Sequence, residues 1–507
     1  MKKFFGLLIV FPVLLVSCGL LGNGNVATET FWVTNFETGA REQIEAELLA
    51  QSRHVNIWAE KDSGISRGTA QDIARFYDTL VYGRLVREFG LDNIFSEYED
   101  DYFHIMDLAD YSFGNGDGRL CILFHNIADG GSDYSFVAGY FWSGDFFNVA
   151  TSNNRDIIYI NIHRNHMPGS RASNKTIAHE VQHMMNWVAS WEFRMFGESP
   201  DFMDLWIDEG LSAAAEWIVF NAPSDWKLTW FNQDRTELIS QGNNFFVWGN
   251  REGTGAGNHH SAILDDYATV YLFFQWLRLQ AGIGNSGNNK IFADIIQSPD
   301  SNHWAVVEAA DKRIGDGDEY AGDDGWDLLL RDWLAANFIN APTGRWGYRD
   351  APAYRDIQAR PIVSTSPTVS LFPGEGVFSL TPNAITFPTM NAGVGGNIRY
   401  AGLRRTGAPD LSDDSIFAGT GNALLSFNVS TDVSYHPTTG APIATATTAT
   451  ITGFAPTIAS LSEARFADDL LAGPFPISGR HMLRQNMRNS DFLEIDRSLN
   501  RRSAVNE

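Results

Sequence analysis

Cysteine is almost absent from this chain, which has only Cys18 and Cys121 among its 507 residues. Because Cys18 closes a candidate export signal, no pair of cysteines remains for an intramolecular disulfide. Cys121 lies in the apolar run 120–124, which predicts a buried strand rather than a reactive thiol. With 44% hydrophobic and 13% aromatic residues, the chain can instead be held together by a large core.

Positive charge is also scarce. The chain has 37 Lys and Arg against 61 Asp and Glu, a formal net charge of −24, and loss of residues 1–17 with Lys2 and Lys3 would make it −26. So acidic a surface argues against direct binding of nucleic acid or anionic lipid. It would attract cationic peptides or calcium. The acidic loop 316–325 lacks the spacing of an EF-hand, however, which favours a solvated loop over a calcium site.

Hydrophobic runs of membrane-spanning length are absent, and residues 6–16 form a shorter one. This run follows Lys2 and Lys3, which is typical of a secretory signal peptide. Residues 15–18, Leu-Val-Ser-Cys, resemble a bacterial lipobox. That resemblance implies that Cys18 carries palmitate-type lipid and anchors the exported protein to the cell envelope, at the outer membrane or the periplasmic face. The alternative is an ordinary signal peptide with an incidental cysteine.

Residues 176–187 carry the most informative motif and read Thr-Ile-Ala-His-Glu-Val-Gln-His-Met-Met-Asn-Trp. They contain no helix breaker, and on a helix His179 and His183 share one face, so both imidazoles can bind one metal ion. Glu180 would stand on the ligand side of that ion, where the general base for a zinc-activated water is needed. The alternative is a core helix whose histidines only make hydrogen bonds with their neighbours.

A second segment offers the third ligand that a catalytic zinc ion needs beside one position open to water. Residues 205–217 read Leu-Trp-Ile-Asp-Glu-Gly-Leu-Ser-Ala-Ala-Ala-Glu-Trp. Glu209 and Glu216 are its two glutamates, and Glu209 is the one that the resemblance described next favours as the ligand. Glu216, two turns further on, could be a ligand, an outer partner of the ligands or an exposed helix acid.

The two segments together resemble the gluzincin metallopeptidases, and most of all the hyicolysin type. The resemblance implies an α+β zincin-like catalytic domain, in which a sheet is joined to a helical active-site subdomain. It also implies one catalytic zinc ion held by His179, His183 and Glu209, with Glu180 as the general base.

One position departs from the related pattern. Thermolysin-like enzymes have an aspartate four residues after the third ligand, and this chain has Ala213 there. Asp208, Glu216 or a backbone carbonyl must therefore orient the first histidine, and the sequence leaves the choice open.

Residues 265–277 resemble the helix that follows the active site in these families, where a tyrosine donates a hydrogen bond to the oxyanion. By position this role falls on Tyr267, with Tyr271 as second choice, although aromatic residues at helical spacing are commonly core. His259 and His260, predicted in a loop over the cleft, are the rival donors.

Composition divides the chain into a signal peptide, a linker with a short β segment, a gluzincin-like domain, a small all-β sandwich and a polar tail (1–17, 18–60, 61–350, 355–484 and 485–507). Hydrophobic periodicity predicts helices at 66–89, 173–189, 206–220, 265–281, 289–297, 303–312 and 326–338. The main predicted strands are 30–33, 54–59, 120–124, 136–142 and 157–162. We expect strand 136–142 to be the sheet edge that pairs with extended substrate backbone.

The sequence therefore predicts a zinc-dependent endopeptidase that acts on extracytoplasmic proteins or peptides. Two alternatives belong to other classes. In one, an inactive zincin-fold lipoprotein acts as an adhesin whose β domain binds a host or matrix protein. In the other, a structural zinc site with a fourth protein ligand stabilises an envelope protein.

Overall fold

The computed structural model describes most of the chain up to residue 359 and shorter pieces beyond it. The described residues are 26–90, 118–130, 135–146, 150–194, 202–232, 246, 259–282, 290–314, 319–359, 368–380, 396–403, 423–431, 434–435, 442–443, 447–450 and 475–478. The predicted signal peptide, Cys18, part of the acidic loop and the polar tail lie outside the described residues.

Six strands form a mixed sheet in the N-terminal half: β1 (Thr28–Asn35), β2 (Ala40–Gln51), β3 (Val55–Glu60), β4 (Leu120–His125), β5 (Ser135–Phe141) and β6 (Ile157–Asn161). Their order is β1-β2-β3-β4-β6-β5, with β3, β4 and β6 parallel and the other neighbours antiparallel. All residues of β4 and β6 are buried, Cys121 included, as their apolar sequences predict. The sequence analysis did not predict β2, whose many charged residues mask its pattern.

Helices cover one face of this sheet: α1 (Arg67–Phe76), α2 (Gly83–Glu88), α3 (Arg171–Phe193), α4 (Leu205–Phe220), α5 (Asp225–Asn232), α6 (His259–Ala281), α7 (Lys290–Ile296), α8 (His303–Arg313) and α9 (Gly325–Ile339). The mixed α+β class is thus confirmed. A π-helical turn, Tyr77–Tyr82, interrupts the predicted helix 66–89, and α5 was not predicted. In the part of the chain that the structure describes, no helix combines the length and apolarity needed to cross a membrane.

The C-terminal part is built of short strands: β7 (Thr368–Leu371), β8 (Gly376–Leu380), β9 (Ile398–Leu403), β10 (Ala423–Asn428), β11 (Ser434–Tyr435), β12 (Pro442–Ile443), β13 (Thr447–Thr450) and β14 (Phe475–Ser478). Strands β8, β10 and β9 form one antiparallel sheet. Phe378 of β8 stacks on Phe338 of α9 with ring centroids 4.7 Å apart. Strands β8, β9 and β10 therefore share the main hydrophobic core with the helices, whereas Leu371 of β7 and Ala449 of β13 belong to a separate small cluster.

The expectation that strand 136–142 is the edge of the sheet was wrong. β14 pairs in parallel with β5, with Phe475 opposite Ser135 and Ser478 opposite Gly139, and is the outermost strand. An edge strand has unpaired N–H and C=O groups along one side. A distant segment can satisfy these groups with backbone alone, and so leaves no local signal in the sequence.

Candidate metal centre

Helix α3 carries the two histidines and the glutamate of the first motif. Ser170 begins the helix by accepting a hydrogen bond from the Ser173 N–H. His179 and His183 lie one turn apart on one side of the helix, with ring centroids 4.8 Å apart. Both imidazoles and Glu180 are buried, so α3 is not a surface helix with a solvated polar face.

Helix α4 packs on α3 and brings Glu209 to the histidine pair. Glu209 Oε2 lies 3.2 Å from His179 Nε2 and 3.6 Å from His183 Nε2. One donor atom from each of the three residues can be chosen so that all lie within 4.8 Å of one another. The structure thus brings together the two imidazoles and the carboxylate that the sequence analysis selected.

The glycine after Glu209 has a steric purpose. A Cβ added at Gly210 would overlap the ring of Phe274 on α6. Only a hydrogen at this position lets α4 approach α6 so closely. The Glu-Gly pair therefore combines a candidate metal ligand with the close contact that sets the distance between α4 and α6.

Two further carboxylates contact the other nitrogens of the histidines. Glu216 Oε1 lies 3.3 Å from His179 Nδ1, and Asp208 Oδ2 lies 3.1 Å from His183 Nδ1. Each imidazole thus directs Nε2 toward Glu209 and Nδ1 toward an outer carboxylate. A partner of this kind fixes the orientation and tautomer of a metal-binding histidine.

This arrangement answers the question that Ala213 left open. Glu216, not Asp208, contacts the first histidine, and Asp208 contacts the second. Asp208 Oδ1 is itself held by a hydrogen bond of 2.6 Å from Asn186 Nδ2. Local sequence could not distinguish these roles because they depend on how α4 is rotated against α3.

The electrostatics of the centre favour a cation. Burial alone would lower the pKa of His179, but hydrogen bonds with Glu209 and Glu216 raise it to about 10. Burial would likewise lower the pKa of His183, yet the charges of Asp208 and Glu209 raise it. Burial would raise the pKa of Glu209, but His183 and His179 hold it well below its ordinary value. A positive charge in the centre, whether a proton on His179 or a metal ion, would therefore offset the charge of the carboxylates.

The residues present fit a divalent metal ion. Glu209 Oε1 is buried without a hydrogen-bond partner. A buried carboxylate oxygen without a partner is unfavourable unless a cation or proton compensates it. Two imidazole nitrogens and one carboxylate oxygen are also a donor set typical of catalytic zinc.

Glu180 lies between α3 and strand β5. A Cβ added at Gly139 of β5 would lie 3.2 Å from Glu180 Cγ and 2.7 Å from the carbonyl oxygen of Tyr159. The same Cβ would lie 2.8 Å from Thr176 Cγ2, so the absence of a side chain at Gly139 lets β5 approach α3 at Thr176 and Glu180. This places the glutamate next to the strand that the sequence analysis linked to substrate.

The residues predicted as hydrogen-bond donors to the oxyanion differ in position and in hydrogen-bond partners. The ring of Tyr267 on α6 lies 6.4 Å from that of His179. The hydroxyl of Tyr271 instead accepts a hydrogen bond from the Ser224 N–H and shares one with Tyr354. His259 and His260 form the first turn of α6 rather than a loop, contrary to expectation, and their side chains lie outside the described part.

The sequence analysis missed Lys227 on α5, which is buried beside the centre. Its Nζ lies 3.0 Å from Glu216 Oε1. The lysine follows Trp226 and precedes Leu228, with Trp230 and Phe231 close behind. A lysine among so many large apolar residues is a sequence signal for burial with a charged partner.

Comparison with known proteins identifies a metalloprotease to which this chain is similar. The chain is similar to the neutral metalloprotease ShpI of Staphylococcus hyicus, with 25% identity over 369 residues that cover 71% of this chain and 73% of that protein. No family model matches the chain.

Proposed function

We propose that this protein is a zinc-dependent peptidase of the gluzincin type, most like the hyicolysin type, in which His179, His183 and Glu209 hold the metal ion. The observation that supports this proposal best is the convergence of three buried donor residues from α3 and α4 on one point. Similarity to a neutral metalloprotease over most of the chain supports the same activity.

The proposed reaction is hydrolysis of a peptide bond without a covalent intermediate. When bound, zinc supplies an acidified water and polarises the scissile carbonyl. Glu180 takes a proton from the attacking water and transfers it to the leaving amine. Tyr267, whose ring lies 6.4 Å from that of His179, is the candidate for donating a hydrogen bond to the developing oxyanion.

The finer assignments are also proposals. We propose an endopeptidase that acts on extracytoplasmic proteins or peptides, exported by residues 1–17 and anchored through lipid on Cys18. Segment 61–350 would be the catalytic domain. Residues 355–484 would form an accessory β-sandwich that positions it or binds a host or matrix protein. A calcium ion in the acidic loop remains the weaker metal proposal.

Replacement of Glu180 tests the chemistry apart from the metal. Glu180→Gln should bind one zinc ion per chain, as the wild type does, but lose roughly 10²–10⁴-fold in kcat/KM on a mixed peptide library. The measurements are metal analysis and hydrolysis with and without a chelator. Undiminished hydrolysis by zinc-loaded Glu180→Gln protein would contradict the proposal.

The inactive adhesin and the structural zinc protein are less favoured. Among the described residues the metal-binding group comprises three donors, whereas structural zinc takes four protein ligands. Zinc-loaded wild-type protein that is inert toward peptides but binds a host or matrix protein would support the adhesin instead.

A further inference from the structure

We infer that Glu216 and Lys227 form a positioning pair for the metal centre: Lys227 holds the carboxylate of Glu216 against Nδ1 of His179, which directs Nε2 of His179 toward the metal ion. This inference rests on the proposed function, and it assigns two residues outside the proposed ligands and general base. Neither residue touches the reacting atoms, so both act through His179.

The geometry converges on one carboxylate oxygen. Glu216 Oε1 lies 3.3 Å from His179 Nδ1 and 3.0 Å from Lys227 Nζ. An oxygen that accepts from both groups is fixed between them, because moving it toward one lengthens the other hydrogen bond. Charge-assisted hydrogen bonds of this kind are roughly twice as strong as neutral ones.

Lys227 is buried deeply enough to need this partner. The residue is 1% exposed, and its Nζ lies 5.3 Å, 5.5 Å and 6.0 Å from the ring centroids of Tyr271, Trp226 and Tyr267. Aromatic rings at these distances stabilise a cation only modestly. Removing the carboxylate would leave a buried charge uncompensated, so the lysine and Glu216 depend on each other.

The charge of Lys227 also holds Glu216 in place. Lys227 Nζ lies 3.0 Å from Glu216 Oε1, so the ammonium group attracts the carboxylate at hydrogen-bond distance. Without the lysine, a carboxylate so close to the centre could turn away from His179.

The pair explains how the chain functions without an aspartate at position 213. Positions 209, 213 and 216 fall on one face of α4. Ala213 is buried and too short to reach His179. Glu216 starts almost one turn further along and spans the gap with a longer side chain, which is more flexible and so benefits from a second contact.

Lys175 is a natural control. Its Nζ lies 3.9 Å from Glu216 Oε2, the oxygen that does not contact His179, and its side chain is 18% exposed against 2% for Lys227. Lys175→Met removes the same charge beside the same carboxylate without touching the shared oxygen. A general loss of positive charge would affect both variants alike.

The test compares full-length Lys227→Met, Lys175→Met and wild-type protein. Zinc affinity is measured by competition with a chromophoric chelator, and the absorption spectrum of the cobalt(II)-loaded protein reports ligand geometry. Lys227→Met should bind zinc roughly 10–100-fold more weakly, the usual effect of losing an outer partner, and change the cobalt spectrum. Lys175→Met should stay within about three-fold of wild type, with an unchanged spectrum.

Equal zinc affinities and identical cobalt spectra for the two variants would overturn the inference. If Lys227→Met does not fold, Glu216→Gln, which keeps the size of the side chain, should show the same weakened affinity, and wild-type affinity there would also overturn it. Failure of the wild type to hydrolyse peptides would refute the proposed function alone, because the metal measurements do not depend on turnover.

Discussion

At the residue scale, the centre is a buried set of charges that only a cation or protons can balance. Glu209, Asp208 and Glu216 surround two imidazoles. Burying three carboxylates is unfavourable unless each gains a positive partner. A zinc ion and imidazole protons therefore compete, because either can compensate the charge of the buried carboxylates.

This competition predicts proton release on zinc binding. His179 has its pKa raised from 6.5 to about 10 in the metal-free centre, so near neutral pH zinc must displace a proton from it. Calorimetric titrations in buffers of different ionisation enthalpy should show at least one proton released per zinc. Buffer-independent heats would contradict the prediction.

The same shift predicts how the stability of the metal-free protein depends on pH. A pKa raised from 6.5 to about 10 on folding stabilises the fold fully below pH 6.5. This contribution is lost as pH rises through about 10, because the folded state no longer binds the extra proton. Urea unfolding of chelator-treated protein should show that loss, and His179→Gln should show much less of it. Equal pH dependence in both proteins would count against the assignment.

At the element scale, the separation of α3, α4 and α6 sets the site. Gly210 lets α4 lie against Phe274 of α6, and Gly139 lets β5 lie against Thr176 and Glu180 of α3. The sequence does not reveal the steric role of either glycine, because the residues that pack against them are distant along the chain. Each glycine is needed because it allows two elements to pack closely, not because it allows an unusual backbone conformation.

We predict that Gly210→Ala disturbs both stability and metal binding. Its methyl group must displace Phe274 or α4, which costs about 1–3 kcal/mol for overpacking and moves Glu209. Gly68 of α1 is the matched control, because a Cβ added there meets only Ser66 Oγ at 3.7 Å. Gly68→Ala should keep wild-type zinc affinity and an unfolding midpoint no lower than that of the wild type, and a Gly210→Ala protein that did the same would disprove the steric argument.

At the scale of the whole molecule, the main hydrophobic core joins one face of the sheet, the helices and strands β8, β9 and β10. The metal centre lies between α3 and α4 within this core. Ligand binding at such a position couples to global stability because the unfolded chain cannot reproduce the site.

Zinc removal should therefore destabilise the entire protein. With free zinc at a thousand times its Kd, binding contributes about 4 kcal/mol to unfolding. Differential scanning calorimetry should show a lower Tm after chelation, reversed by added zinc. In Glu209→Ala the chelator should have little effect, and an equal loss of Tm there would place the stabilising metal elsewhere.

The shared core also predicts that the C-terminal strands unfold with the helices. Phe378 and Phe338 are buried and stacked, so Phe378→Ala should cost about 3–5 kcal/mol and shift a single cooperative transition. Met167, 57% exposed, offers the control Met167→Ala with little effect. Two separate transitions, with only one shifted, would show that segment 355–484 folds independently.

The sequence by itself determined what depends on neighbours along the chain. Local periodicity predicts that His179 and His183 share one face of a helix. It also predicts the mixture of helices and strands, including the buried strands β4 and β6. Glu209 could be selected because its segment, residues 208–212, resembles the one that carries the third ligand in gluzincin metallopeptidases. Export and lipidation stay predictions from residues 1–18.

Only the tertiary structure decided what depends on the packing of distant elements. The rotation of α4 against α3 places Glu216 beside His179 and Asp208 beside His183. Helix α5 brings Lys227 to the carboxylate of Glu216. The pairing of β14 with β5 likewise joins segments more than 300 residues apart. Such contacts are selected by shape, charge and backbone pairing in three dimensions, for which local sequence carries no periodic signal.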